Sequence, residues 1–245
     1  MPNNKSEEQS MELFPLGDAA IVIQFGNRID PETNRKVKVL SDFLDEHPFP
    51  GMIEYVPAFT TVTVYYDPLQ LHDSVAERRS PYEMVRTMLE RMVSSLGDQV
   101  DFTPRKVEIP VCYGEEFGPD LEYVAEYQGL TPEEVIDIHS KGEYLVYMIG
   151  FAPGFPYLGG LSRRIATPRR STPRLSIPAG TVGIGGEQTG IYPIETPGGW
   201  QLIGRTPQAL FQPNHDSPTL LQAGDIITFR PISREEYDAW GEQNP

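Results

Sequence analysis

Two hydrophobic spacings alternate through the first hundred residues. MELFPLGDAAIVIQFG (11–26) offers two strand-length apolar pieces broken at Gly17-Asp18. From Asp30 the spacing becomes helical: Asp30 suits an N-cap, Pro31 the first helical position, and Val37, Leu40 and Leu44 share a face until HPFPG stops the run. IEYVPAF and TTVTVYYD return to alternation, with Val62, Val64 and Tyr66 on one side and Pro68 ending the run. A second helix is announced by the capping box Ser80-Pro81-Tyr82-Glu83, carries Val85, Met88, Leu89, Met92 and Val93 on one face, and is closed by Gly97. The pattern predicts a small α+β domain over 11–102, helices on one face of its sheet, behind a disordered tail at 1–10.

After a linker at 101–106 the spacing changes. RKVEIPVCY reads as a strand, Asp120–Tyr127 and Glu133–Ser140 as short helices (Thr131 and Glu134 forming a capping box), and EYLVYMIGF as a strand. Short pieces then follow one another between turns: TVGIGG, IYPIE, GWQLIGRT and LQAGDIITFRPI, with Ser233-Arg234-Glu235-Glu236 capping a terminal helix. Many short strands between turns predict a mainly-β domain, barrel or sandwich, over 103–240.

Composition sharpens the picture at one place. Residues 150–210 hold twelve glycines and eight prolines, yet aromatics recur throughout them. Arg163, Arg164, Arg169, Arg170, Arg174 and Arg205 face only Glu187 and Glu195 there, a local balance of +4 in a chain of −15. A cationic, aromatic, glycine-lined stretch in an acidic protein marks the expected site for an anionic small molecule or a partner. The overall charge argues against nucleic acid and against an anionic membrane. The first ten residues lack the apolar core of a signal peptide, and YLVYMIGFA is too short to span a bilayer, so a soluble cytoplasmic protein is expected. Cys112 reads as a small buried hydrophobe.

Candidate chemistry is otherwise sparse. There is no phosphate-binding P-loop and no GxSxG elbow. His47, His72, His139 and His215 lack metal-ligand spacing, and no metal site is expected. His139 is accounted for by the dipole of the helix it ends, and His215-Asp216 by a solvated loop. GIGGEQTG (183–190) suits either a hairpin turn or a loop whose N–H groups approach an anion. In TPRRSTPR the prolines hold Arg169 and Arg174 extended, a setting for a carboxylate or phosphate fork; Arg205 is a third candidate, and for each a structural ion pair is the alternative. Phe155 and Tyr157 are expected to reach a groove.

GFAPGFPYLGGL, TPRRSTPR, IPAGTVGIGGEQTGIYPIETPGGWQLIGRTP and PTLLQAGDIITFRPI resemble the family variously called the 5-oxoprolinase B subunit, allophanate hydrolase subunit 1, or the Kip-type inhibitor of a sporulation histidine kinase. The resemblance runs from about residue 11 to 235; Thr181 and Gly185 stand where the family pattern has Ser and Ala. It implies a cyclophilin-like barrel after the α+β domain. It also implies a protein that opens 5-oxo-L-proline to L-glutamate at the expense of ATP, with Mg2+, in a complex with a homologous C component and a third, A, component. Phosphorylation of the lactam oxygen would supply the leaving group. Under it, Arg169, Arg174 and Arg205 become anion contacts, Gln188, Tyr157 and Tyr192 neutral hydrogen-bonding groups, and Phe151, Phe155 and Trp200 pocket walls. No residue of this chain is assigned as the catalytic base. The alternative it implies is regulatory: Phe151, Phe155 and Tyr157 would anchor a helix of a sensor histidine kinase and block autophosphorylation. Prolyl isomerisation would rest on fold analogy alone.

Overall fold

The computed structural model describes residues 11–71, 79–96 and 103–243. The predicted tail at 1–10, the stop at Gly97, His72 and the start of the predicted linker lie outside the described residues. The chain divides into two compact units, the first ending at Thr103 and the second beginning at Pro104.

In the first unit, β1 (Glu12–Pro15), β2 (Ala20–Gln24), β3 (Met52–Pro57) and β4 (Thr61–Tyr66) form an antiparallel sheet in the order β1-β2-β4-β3. The turn between β1 and β2 needs the left-handed Gly17, at φ 65°. α1 (Pro31–Glu46) starts as its sequence predicts: the Asp30 carboxylate accepts from the Thr33 amide at 2.9 Å. α2 (Pro81–Leu96) carries the capping box, Ser80 N donating to Glu83 Oε2 at 2.9 Å and Glu83 N to Ser80 Oγ at 3.3 Å. Val37, Leu40 and Leu44 of α1 and Val85 and Leu89 of α2 close over Ile21, Ile23, Val62, Val64 and Tyr66, which one face of the sheet presents.

The second unit is built on a closed barrel. Its strands are β5 (Lys106–Tyr113), β6 (Tyr144–Ile149), β7 (Pro156–Gly159), β9 (Thr181–Gly185), β10 (Gln188–Ile191), β12 (Gln201–Arg205) and β13 (Ile226–Pro231), in the cyclic order β10-β7-β6-β13-β5-β12-β9. The β5–β13 pair is parallel and the remaining pairs are antiparallel. β8 (Arg174–Ile177) and β11 (Thr196–Gly198) form a separate two-stranded ribbon. α3 (Leu121–Gln128) and α4 (Pro132–Ser140) contribute Leu121, Val124, Ala125 and Val135 to the same core as Ile109, Val111, Val146, Ile184 and Phe229 of the strands. α4 opens with the predicted Thr131–Glu134 capping box, and α5 (Arg234–Gln243) follows β13. A closed seven-stranded barrel is compatible with the cyclophilin-like architecture that the resemblance implies. No helix among the described residues is long and apolar enough to cross a membrane.

Three details differ from the sequence reading. IYPIE is not a strand: β10 ends at Ile191, just before Tyr192-Pro193, and the strand is drawn instead from QTGI. β7 and β8 arise inside the proline-rich stretches, where the pattern predicts no strand. His139 is not a dipole partner at a solvated helix end. It is fully buried, stacked 4.4 Å from Phe229, and burial lowers its pKa to about 3. The hairpin reading of GIGGEQTG holds, with β9 and β10 joined through Gly186 at φ 67°.

Candidate functional site: an aromatic pocket with an arginine edge

Phe155 is the centre of an aromatic cluster. It is 3% exposed and meets four rings edge to face: Tyr157 at 5.3 Å, Phe151 at 5.5 Å, Tyr192 at 5.7 Å and Trp200 at 5.9 Å. The glycines explain how rings of this size fit. A Cβ on Gly185 would stand 2.5 Å from the Trp200 indole, and one on Gly198 would stand 2.5 Å from the Tyr192 hydroxyl. The aromatics therefore lie directly on bare backbone. Phe151 adopts φ 70°, a left-handed conformation rare for an aromatic residue, and presents a ring that is 69% exposed.

These rings enclose a pocket of about 200 Å3, completed by Arg169 and the Pro197-Gly198-Gly199 turn. The Arg169 guanidinium lies 5.8 Å from the centre of the Trp200 ring. Burial pushes the Tyr192 phenol up. A main-chain hydrogen bond at Trp200 and the positive charges of Arg169 and Arg174 offset part of that rise. Tyr192 thus faces the pocket as a neutral hydroxyl under physiological conditions.

The arginine segment is fastened at three points. Gln201 Nε2 donates to Pro168 O at 2.9 Å, and the Arg170 amide donates to Gly199 O at 2.7 Å. The third point is Asp120, 5% exposed, which accepts from Arg174 Nη2 at 2.8 Å, Arg170 Nη1 at 3.3 Å and the Leu202 amide at 2.7 Å. Although Asp120 precedes α3, its side chain makes no capping bond. With Nη2 committed to Asp120, Arg174 is left with a buried Nη1 that has no hydrogen-bond partner. A buried guanidinium donor in that state is prepared for an acceptor.

Of the residues singled out from sequence, Phe151, Phe155, Tyr157, Arg169, Tyr192 and Trp200 meet at this pocket, and Arg174 stands behind it on β8. Gln188 and Arg205 do not line it. Gln188 starts β10 beside the hairpin tip, opposite Gly185. Arg205 ends β12, with its guanidinium 5.3 Å from the Phe117 ring centre. Sequence reasoning misses Asp120. Its one sequence signal, an aspartate before a helix, points to a cap.

Two other polar regions do not join the pocket. His139 Nδ1 lies 2.8 Å from the Tyr113 hydroxyl and Nε2 lies 2.9 Å from Thr189 Oγ1, while Thr189 donates to Gly183 O at 3.1 Å. Because Thr189 spends its proton on Gly183, His139 donates from Nε2 and accepts from Tyr113 at Nδ1. His215 lines a polar cavity of about 620 Å3 with Arg105 and Trp240. Among the described residues no group of three or more His, Cys, Asp or Glu side chains is placed to hold a metal ion.

Residues 11–221 match the family model described as "Carboxyltransferase domain, subdomain C and D". A Bacillus subtilis protein, named as the B subunit of 5-oxoprolinase, is 55% identical over 234 residues, covering 95% of this chain and 98% of the relative. The Haemophilus influenzae protein of the same name is 43% identical over 219 residues, covering 89% of this chain and 97% of the relative. The chain belongs to this carboxyltransferase-domain family, in the branch of the 5-oxoprolinase B subunits. Among solved structures, TTHA0988 matches with a TM-score of 0.75 at 36% identity over 87% of this chain. The present chain spans only 40% of that longer one.

Proposed function

We propose that this protein is the B subunit of an ATP-dependent 5-oxoprolinase, which opens 5-oxo-L-proline to L-glutamate together with the A and C subunits, and that the aromatic pocket takes the substrate. The observation that carries the reading is the pocket's pairing of apolar walls with the Arg169 guanidinium, and with Arg174 and its unpartnered Nη1 behind it, in a chain 55% identical to a protein named as that component. A volume of about 200 Å3 corresponds to roughly seven water molecules. That is the scale of a small ring bearing one carboxylate. Phe155, Tyr157 and Trp200 would sandwich the flat lactam, Arg169 and the free Nη1 of Arg174 would bind the carboxylate, and the neutral Tyr192 hydroxyl would donate to the lactam oxygen.

A nucleoside triphosphate does not fit a space of this size, and no described acidic cluster is placed to hold Mg2+. We assign ATP, with its Mg2+, to a site made with or by the partner subunits. Nor does the pocket contain a base: Asp120 is occupied by two arginines and an amide, and His139 is buried elsewhere. The role left to this chain is to bind, orient and dehydrate the substrate while partner groups act on it. That TTHA0988 continues well beyond the stretch matched by this chain is in keeping with a neighbour alongside. The regulatory alternative, binding to a sensor histidine kinase, has less support. A helix groove needs several free apolar anchors, whereas of Phe151, Phe155 and Tyr157 only Phe151 is exposed, and Phe155 is 3% exposed.

The test is reconstitution with homologues of the A and C subunits, ATP and 5-oxo-L-proline, following glutamate release. Omission of this chain should abolish turnover, and Arg174→Ala should lower kcat/KM at least tenfold. Full activity without this chain would overturn the reading.

A further inference from the structure

β12 leads away from the aromatic pocket to a second cluster. Trp200 immediately precedes the strand and Arg205 is its last residue. At about 3.3 Å per residue the two side chains are rooted roughly 17 Å apart. Arg205 pairs with Cys112 of β5 and Thr181 of β9, and its guanidinium is seated over Phe117. Arg234 lies over the same ring at 4.8 Å, but its charge is answered by Glu116 at 2.5 Å and Asp238 at 2.8 Å. Arg205 has no carboxylate partner among the described residues, and its Nε is buried without a hydrogen-bond partner.

The unanswered charge does not reflect a shortage of acids, since the chain holds 35 of them against 20 basic residues. A buried, unmade N–H on a half-buried cation costs free energy that an arriving oxyanion removes. The turn carrying Phe117 is also strained. Glu115 sits at φ 47°, and it and Phe151 are the only described non-glycine residues with positive φ. Phe151 stands at the aromatic pocket and Glu115 beside the ring under Arg205. Strain of this kind collects where a ligand or partner is held.

We propose that Arg205, seated on Phe117, anchors a second oxyanion site separate from the aromatic pocket. It takes a carboxylate or phosphate group through its planar fork of N–H donors. The group comes either from a free small anion or from an acidic side chain of a partner protein in the complex.

The 15N-labelled full chain separates these sources. The Nε–H signal of Arg205, identified by its loss in Arg205→Lys, is followed during titration with inorganic phosphate, then acetate, then the homologue of the C subunit. A free anion gives a saturable shift in the isolated chain. A partner carboxylate gives a shift only when that protein is added, and Arg205→Gln then weakens the complex at least tenfold. Either shift must persist in Arg169→Ala, which alters only the other pocket. No shift in any of the three titrations overturns the proposal, as does a shift that Arg169→Ala abolishes. Should Arg205→Gln fail to fold, the wild-type and Arg169→Ala titrations decide. The partner titration rests on the complex proposed above; the phosphate and acetate titrations do not.

Discussion

The second unit buries Asp120 and His139 in opposite ways. Asp120 is enclosed with two guanidinium groups and an amide, so its burial comes with charge of the other sign. His139 is enclosed with a phenol, a threonine hydroxyl and aromatic rings, and burial drives its pKa down to about 3. The first environment holds a charge and the second expels one. Only the first lies beside the pocket, and it leaves Arg174 Nη1 without a hydrogen-bond partner. The second stiffens the barrel core with a single-tautomer relay from Tyr113 through His139 and Thr189 to Gly183.

The sharpest way to break this contrast is Asp120→Asn. It leaves Arg174 and Arg170 without their carboxylate, and because Arg170 is 38% exposed the loss is expected below that of a fully buried pair, about 3 kcal/mol in urea unfolding. An unchanged midpoint would show that Asp120 does not hold the segment. Next comes acidification. The folded pKa of His139 lies below its ordinary value of about 6.5, so the unfolded chain binds the extra proton. Its contribution to stability is complete above pH 6.5 and falls away as pH drops towards 3. Between pH 8 and pH 5 that amounts to about 2 kcal/mol, and His139→Gln should flatten the profile in this window. A slope unaltered by that substitution would place the titration elsewhere.

Gly185→Ala tests the pocket wall. The added methyl meets the Trp200 indole, and overpacking of this kind costs about 1–2 kcal/mol and should shift Trp200 fluorescence. A neutral result would mean that Trp200 relaxes freely. The smallest effect is expected from Arg163→Ala. The Arg163–Glu187 pair, at 3.6 Å, is 86% and 68% exposed, and its loss should change stability by less than about 0.5 kcal/mol. A larger loss would mean that exposed and buried arginines of this segment are not as different as their surroundings suggest.

The same contrast explains what was legible in the sequence. Asp30, Ser80 and Thr131 act within three residues of themselves, and each helix they start could be read directly. Alternation revealed β4, and a strand-length apolar run revealed β2, for the same reason. Asp120 and His139 look like local signals, a cap and a dipole partner, but their partners lie 82 and 50 residues away at Leu202 and Thr189. No local pattern carries such a pairing. The pocket was legible through its aromatics because Pro-Gly turns bring five of them together, whereas Arg205 and Gln188 share the composition of the segment without sharing its place. β7 and β8 escape the pattern because proline and glycine mask strand propensity.

The parallel β5–β13 seam has a consequence for how the barrel is made. Its two strands are the first and last of the barrel, and the Arg105–Asp225 ion pair beside them joins residues 120 positions apart. At a synthesis rate of about 5–20 residues per second, the leading strand leaves the ribosome roughly ten seconds before its neighbour exists. During that interval β5 has an unpaired edge, and only the arrival of β13 completes both its own seam and the contact with β6. Closure of this barrel is therefore a late, high-contact-order event, and until it occurs the nascent barrel carries an open strand edge.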